Sequence, residues 1–212
     1  MRVLSVNVGQ AESNTHGKRS LTTAIGKKSV TGPVMIRRSG VDGDTICDSE
    51  HHGGPDQAVY AYSGDDYVWW SQQLDRDIEH GTFGENLTIQ GLPEDLNVGD
   101  RLLIGDVVLE VTAPRIPCDT LSAQMQDSRF GMAFRRAERP GVYLRVLHEG
   151  CVAAGDSVAL LEIPQADASI NELFRLAYDL QPKAADLRRY LDAPIAERVR
   201  KNIDGKLSAL GG

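Results

Sequence analysis

The sequence has few cysteines and no long apolar run, and its first residues are not expected to form a secretory leader. Three cysteines, Cys47, Cys118 and Cys151, are spread over 212 residues. An odd number at such wide spacing matches neither a disulfide framework nor a closed zinc site, and this predicts a reducing compartment. No apolar run approaches the roughly 20 residues of a membrane-spanning helix, and MRVLSVNVGQ at the N-terminus alternates like a strand. We therefore expect a cytoplasmic protein with no membrane partner.

Basic stripes and nucleotide-binding motifs are also lacking. The net charge is −7, and the pairs Lys27-Lys28 and Arg37-Arg38 are isolated. Nucleic-acid polymers are bound through longer basic surfaces, so no such polymer is expected as a partner. There is no P-loop and no G-x-G-x-x-G after a strand, which argues against a nicotinamide or flavin site. A nucleotide-like ligand would have to be a small molecule.

What the sequence does contain, up to about residue 163, is a series of short alternating segments separated by Gly and Asp turns. RVLSVNV predicts a strand with Leu4, Val6 and Val8 on one face. Six further segments are typical of strands: PVMIRR, ENLTIQ, DRLLI, VVLEVT, VYLRVL and SVALLEI. One helix is expected at 65–75. Many short strands favour a mainly β (α+β) fold, built on a closed or nearly closed β-barrel.

The last part of the sequence predicts three short helices. Ser169 and Glu172 have the spacing of a capping box, and the segments PKAADLRRYL and PIAERVRKNIDGKLSAL each place a proline at the first helical position. We therefore expect two parts, residues 1–163 and an extension at 164–212. The extension is too small to be stable alone, so it should pack on the barrel or on a second copy, as in a homodimer. Its removal is expected to leave the barrel folded.

One cysteine has a neighbourhood that favours reactivity. Cys118 lies in TAPRIPCDT (residues 112–120, the cysteine segment), three residues after Arg115. A nearby cation and partial exposure favour the thiolate, which makes Cys118 a candidate reactive thiol, with an inert buried thiol as the alternative. Cys47, in an acidic loop, and Cys151, in a turn, have no clear activating neighbour in the sequence.

A pair of histidines followed by two glycines marks a second candidate. His51 and His52 precede Gly53-Gly54. Glycine adopts positive φ and lets the backbone approach a ligand closely, so this loop can present the imidazole of His52 together with backbone N–H groups. A structural turn with incidental histidines is the alternative.

Together these segments resemble the MOSC domain family, named after the C-terminal domain of molybdenum cofactor sulfurase, and within it the bacterial YiiM-like subgroup. The family pattern stands here, in order, as AIGKKSV, GDTICD, HGGPDQAV, FGENL and PRIPC. The last three match without departure. Ser29 replaces a proline of the pattern, which is expected to loosen this loop and allow Lys28 to substitute for Lys27. Ile46 stands where glutamine is common.

The resemblance implies a MOSC-type β-barrel with a three-helix extension, and a molybdenum cofactor in its molybdopterin form as ligand. Cys118 would be the molybdenum ligand or the acceptor of a sulfur atom, and the implied catalytic residues are Cys118, His52 and Lys27. The residues implied to bind the cofactor are Cys118, Lys27, Arg115, Gly53, Gly54 and Asn86.

The activity that the resemblance implies is the reduction of N-hydroxylated compounds, such as hydroxylaminopurines, to amines. A separate reductase would supply the electrons, and His52 would protonate the leaving oxygen because its pKa lies near neutrality. Three alternatives remain open at this point. These are a sulfur carrier that uses a Cys118 persulfide, a non-catalytic cofactor carrier, and a Cys/His hydrolase, for which no acyl-transfer motif surrounds the cysteine.

Overall fold

The computed structural model describes residues 1–16, 19–47, 53–163 and 167–210, without the side chains of residues 14–21. Within these ranges, no helix combines the length and apolar character needed to cross a bilayer.

Thirteen strands are found in the described part of the chain. They are β1 (Arg2–Val8), β2 (Glu12–His16), β3 (Arg19–Thr23), β4 (Lys28–Ser29), β5 (Val34–Arg37), β6 (Gly40–Val41), β7 (Val59–Ser63), β8 (Leu87–Gln90), β9 (Arg101–Ile104), β10 (Val107–Pro114), β11 (Val142–His148), β12 (Gly150–Val152) and β13 (Ala159–Leu161).

Eight of these strands form one mixed sheet in the order β13-β9-β10-β11-β7-β8-β1-β4. Its pairs are antiparallel except β7 and β8, which run parallel. Strands β12, β5 and β6 form a smaller sheet, and β2 pairs with β3. The predicted hairpin turn between β9 and β10 is confirmed by the pairing of Ile104 with Val107.

The large sheet is not a closed barrel. Its edges are β13 and β4. The segment that leads into β13 does reach β1, where the backbone N–H of Val3 donates to the carbonyl of Asp156 at 2.9 Å and Arg2 forms an isolated bridge with Ser157. These contacts bring the segment before β13 close to β1 without a continuous ladder of strand pairing. The coarser prediction of a mainly β, α+β fold holds, and the predicted barrel is not confirmed.

The predicted faces of β1 are wrong at Leu4. That side chain is 36% exposed, whereas Val3 and Val6 are buried. The register of β1 against β8 shifts between Val3 and Ser5, and such a bulge interrupts the alternation of side chains along a strand. An alternating pattern in the sequence cannot reveal this shift.

Six α-helices lie in the described part of the chain, together with one 3-10 turn at Pro55–Gln57. They are α1 (Gly64–Leu74), α2 (Asp119–Gln124), α3 (Phe130–Ala137), α4 (Ile170–Leu176), α5 (Ala184–Leu191) and α6 (Glu197–Leu210).

The helix predicted at 65–75 corresponds to α1, and the capping box of Ser169 and Glu172 at α4 is confirmed. Helices α2 and α3 were not predicted. The prolines of the extension lie outside their helices, since α5 begins at Ala184 and α6 begins at Glu197. Each proline therefore lies in the preceding loop, where its fixed φ is equally suitable.

The three C-terminal helices pack on the large sheet. Ile170, Leu173, Leu187 and Ile203 belong to the same buried hydrophobic cluster as the sheet residues, among them Leu109. The shared core argues against the expectation that the barrel would remain folded without residues 164–212. The division at residue 163 and the homodimer stay predictions.

We expect Ile203→Ala to destabilise the whole chain, because Ile203 of α6 is fully buried in the hydrophobic cluster that also contains the sheet residues. The loss of a buried aliphatic side chain should lower the free energy of unfolding by about 2–5 kcal/mol. Leu210→Ala is the matched control, since Leu210 ends the same helix and is 51% exposed. Thermal and urea melts measure both variants. Equal stability of the two would mean that α6 does not share the core of the sheet.

Candidate functional site

Residues from six separate stretches of the chain line one cavity of about 160 Å³. The predicted site residues on its wall are Lys27, Gly53, Asn86, Arg115 and Cys118. They lie far apart in the sequence, so the fold itself brings these groups together.

The double-glycine loop contributes backbone to this wall. Gly53 and Gly54 have φ values of 78° and 83°, in the left-handed region that favours glycine. A Cβ atom on Gly53 would lie 2.6 Å from Cδ1 of Ile46, the end of an exposed side chain that can move aside. The positive φ, and not this contact, is therefore what favours glycine at this position. Gly54 precedes the turn at Pro55–Gln57 and does not line the cavity. His52 lies outside the described residues.

The Lys27 ammonium is buried and pairs with the carboxylate of Asp44. The other oxygen of Asp44 accepts from the backbone N–H of Gly9 at 2.7 Å. Burial lowers the pKa of Lys27, and the negative charge of Asp44 opposes this shift. Sequence reasoning gave Asp44 no role, although it stands in the motif GDTICD.

The neighbouring lysine has a different environment. Lys28 is exposed and forms an ion pair with Glu79 at 3.0 Å, also at the surface. Its neighbour Ser29 pairs with Asn7 in the sheet and donates a hydrogen bond to the Asn7 side chain at 2.8 Å. Ser29, which stands where the family pattern has proline, is therefore held in place by strand pairing. Lys27, and not Lys28, lines the cavity.

The Asn86 side chain connects the elements around the ion pair. Its Nδ2 donates to Asp44 at 2.9 Å and to the carbonyl of Asn7 at 3.3 Å. Its Oδ1 accepts from the backbone N–H of Tyr60 at 3.1 Å. These contacts give Asn86 a positioning role for Asp44 and Lys27, whereas the sequence pattern assigned it to the cofactor.

Glu85 fixes the turn beneath Lys27. One carboxylate oxygen accepts from the Tyr67 hydroxyl at 2.6 Å, the Gly81 N–H at 2.6 Å and the Thr88 hydroxyl at 2.7 Å. Burial raises the pKa of Glu85, and these hydrogen bonds oppose the shift. The carbonyl of Gly81 in turn accepts from the N–H of Lys27 at 3.2 Å.

Arg115 places a second cation at the cavity. Its guanidinium is buried, donates to the carbonyl of Phe83 and lies 5.3 Å from the centre of the Tyr60 ring. Burial disfavours its charge, but interactions with Tyr60, Tyr143 and Cys118 keep the pKa of Arg115 above its ordinary value. Its Nε atom has no hydrogen-bond partner among the described residues, so a donor remains available at this site.

Cys118 is partly exposed and forms the N-cap of α2. Its sulfur interacts electrostatically with Arg115, and a neighbouring cation is typical of reactive cysteines. Cys47 is exposed and also lines the cavity, which the sequence did not indicate. Cys151 is exposed on β12 and lies near Arg37, a neighbour brought to it by the pairing of β12 with β5.

The C-terminal extension contributes to the site as well, although every predicted site residue precedes it. The Asp56 carboxylate accepts from the backbone N–H of Glu197, at the start of α6, at 2.8 Å. The amide oxygen of Gln57 accepts a hydrogen bond from Nη2 of Arg198 at 2.6 Å when it faces this arginine. Gln57 also lines the cavity. Helix α6 therefore supports the segment that follows the double glycine.

We expect Asp44→Asn to lower the pKa of Lys27 further, because it removes the carboxylate that opposes the effect of burial. Competitive amine labelling over a pH series, read by mass spectrometry, measures this. Glu79→Gln is the matched control, since it removes the partner of Lys28 and leaves Lys27 unchanged. An unaltered Lys27 titration in Asp44→Asn would contradict the coupling.

The lowered pKa of Lys27 also affects the stability of the protein. Lys27 binds its proton more weakly in the folded protein than in the unfolded chain. Its contribution therefore makes the free energy of unfolding rise with pH between the folded-state pKa and the ordinary value of 10.5. Asp44→Asn should widen this range toward lower pH, and melts between neutral pH and pH 10.5 test the expected slope.

Comparison with known proteins identifies the family of the chain. Residues 48–159 match the model of the MOSC domain. The chain is 31% identical to YflK of Bacillus subtilis over 98% of its own length and 95% of that protein. It is 34% identical to a protein named Reductase from Gibberella moniliformis over 82% of its length, but spans 32% of that protein.

The fold has a close structural relative. YiiM from Geobacillus stearothermophilus superposes with a TM-score of 0.80 at 29% identity, covering 97% of this chain and 98% of that one. The match includes the three C-terminal helices as well as the sheet. The chain belongs to the MOSC domain family and is a YiiM-like member of it.

Proposed function

We propose that this protein binds a molybdenum cofactor in its molybdopterin form and reduces N-hydroxylated compounds to amines, with electrons from a separate reductase. The observation that supports it is the cavity itself, in which a thiol, a buried lysine and a buried arginine meet. The family and the name Reductase given to a relative favour an oxidoreductase.

The residues of the cavity fit such a cofactor. Lys27 retains donors beyond the one that pairs with Asp44, since an ammonium has three, and the Nε of Arg115 is buried and unpartnered within the described residues. Fixed cations of this kind suit a terminal phosphate. A soft thiolate such as that of Cys118 is a suitable ligand for a metal of this type.

The reaction is a balanced two-electron reduction. R–NHOH takes up two electrons and two protons, the N–O bond breaks, and R–NH₂ and water are released. When bound, the cofactor would supply the centre that passes these two electrons from the reductase. Among the protein groups, His52 would donate a proton to the departing oxygen, and Lys27 and Arg115 would hold the cofactor's phosphate by charge.

We expect Cys118→Ser to lower the molybdenum content of the purified protein by about tenfold or more, since it removes the metal ligand. Turnover of a hydroxylated base with a reductase should fall with it. Cys47→Ser is the sharpest control because Cys47 lines the same cavity, and Cys151→Ser controls for a surface thiol. Both should keep molybdenum and activity.

The outcome of that experiment also separates the two roles of Cys118. Full molybdenum content in Cys118→Ser would refute the ligand role. A persulfide trapped on wild-type Cys118 would then favour the sulfur carrier. Molybdenum retained without turnover in wild-type protein would favour a cofactor carrier.

We expect His52→Ala to lower turnover by about a hundredfold or more, as for the loss of a general acid, without loss of molybdenum. His51→Ala is the matched control, because only His52 is adjacent to Gly53. Steady-state rates at equal molybdenum content and equal melting temperature measure the difference. A larger defect in His51→Ala would transfer the role to that residue.

A further inference from the structure

A second cysteine lies on the wall of the cavity that contains Cys118. Cys47 and Cys118 both line this cavity, although they are far apart in the sequence. Cys47 is exposed and Cys118 is partly exposed, so a small solute can reach both residues. Cys151 lies on β12 and does not line the cavity. The fold therefore brings one of the two other cysteines to the same cavity as Cys118.

Electrostatic interactions connect the two segments that carry these cysteines. Asp44, three residues before Cys47, pairs with Lys27. Lys27 lies close enough to the guanidinium of Arg115 for the two charges to repel each other, and Arg115 interacts with the sulfur of Cys118. A series of charged neighbours thus runs from the segment of Cys47 to the segment of Cys118 within one cavity.

The two cysteines differ in how firmly they are held. Cys118 is the N-cap of α2. The segment of Cys47 is tied down as far as Thr45, whose N–H donates to the carbonyl of Gly9 at 2.9 Å, and the next two residues, Ile46 and Cys47, are exposed. A disulfide requires Cα atoms about 4.4–6.8 Å apart. Exposed residues can shift to such a separation without disrupting the packed core.

We propose that Cys47 is the resolving cysteine for Cys118: in the cofactor-free protein a hydroperoxide oxidises Cys118, and Cys47 then joins it in a reversible disulfide. This inference goes beyond the proposed function and does not depend on it, since it needs the two thiols of the cavity and an oxidant of the hydroperoxide class. It gives Cys47 a role that the cofactor site does not.

The chemistry consists of two balanced steps. In the first step the sulfur of Cys118 attacks a hydroperoxide, ROOH. An S–O bond forms, the O–O bond breaks, and ROH leaves, so that the thiol becomes a sulfenic acid. In the second step the sulfur of Cys47 attacks the sulfenic sulfur. An S–S bond forms, the S–O bond breaks, and water leaves. The two thiols lose two electrons and two protons, and the hydroperoxide gains them.

The disulfide would protect the reactive thiol until a cofactor is bound. A sulfenic acid that meets no second thiol is oxidised further to sulfinic and sulfonic acids, and these products are in general irreversible. Cys118 in either form would be lost to any later chemistry. With Cys47 beside it, oxidation stops at a disulfide, which thiol reductants reopen by exchange.

The test uses the full-length protein purified without molybdenum, fully reduced and then treated with hydrogen peroxide. Arginines separate the three cysteines in the sequence, so trypsin places each cysteine in its own peptide. Mass spectrometry of the unreduced digest then identifies every linkage. We expect a pair of peptides joined through Cys47 and Cys118 that separates on reduction.

Two variants make the test specific. Cys47→Ser should accumulate about tenfold more sulfinic and sulfonic acid at Cys118 than the wild type at the same dose of peroxide, because no thiol intercepts the sulfenic acid. Cys151→Ser is the matched control, since Cys151 is exposed but lies outside the cavity. It should form the disulfide like the wild type. The melting temperatures of the reduced proteins should agree, since both substituted residues are exposed.

Three results would overturn the proposal. These are the absence of the Cys47–Cys118 peptide pair in the wild type, equal overoxidation of Cys118 in the wild type and in Cys47→Ser, and a linkage that joins two copies of the chain. A non-reducing gel of protein oxidised at low concentration detects the last of these.

The same treatment of molybdenum-loaded protein separates this proposal from the proposed function. Molybdenum bound by Cys118 should prevent the disulfide. A disulfide that forms while the molybdenum is retained would refute the ligand role of Cys118 and leave the pair of cysteines standing.

Discussion

The buried ion pair between Lys27 and Asp44 fixes the geometry of the cavity. Charges withdrawn from water are tolerated only where further hydrogen bonds satisfy them. The Asp44 carboxylate meets this condition by accepting from Gly9 and Asn86 as well. These bonds join the end of β1, the start of β8 and the loop after β6. The lysine is thereby held at the cavity instead of extending into solvent as Lys28 does.

The C-terminal helices are attached to the loop that follows the double glycine. Asp56 binds the start of α6 through Glu197 and also pairs with Arg145 of β11 at 2.7 Å. Only Pro55 separates Asp56 from the double glycine. The double-glycine loop, the large sheet and α6 therefore meet at the Asp56 carboxylate. A change in α6 is therefore expected to reach the cavity, although the chain between them is more than a hundred residues long.

Local patterns predicted much of this structure, and distant contacts account for most of what they missed. The capping box at Ser169 is complete within four residues, so the sequence was sufficient for α4. Phe130 and Phe134 have helical spacing in α3, a signal that was available and overlooked. The exposure of Leu4 depends on a register shift against β8. The partner of Lys27 is 17 residues away and is selected by the fold, which no spacing rule identifies.

The whole chain is acidic, whereas the cavity wall carries more basic side chains than carboxylates. The net charge is −7, yet Lys27 and Arg115 outnumber Asp44 among the charged residues named on the cavity wall. At physiological ionic strength, exposed charges are screened beyond about 8 Å, so the acidic surface contributes little at the site. An anionic ligand is then attracted mainly within contact distance of the two buried cations. Affinity for such a ligand should depend on these two residues far more than on surface charge.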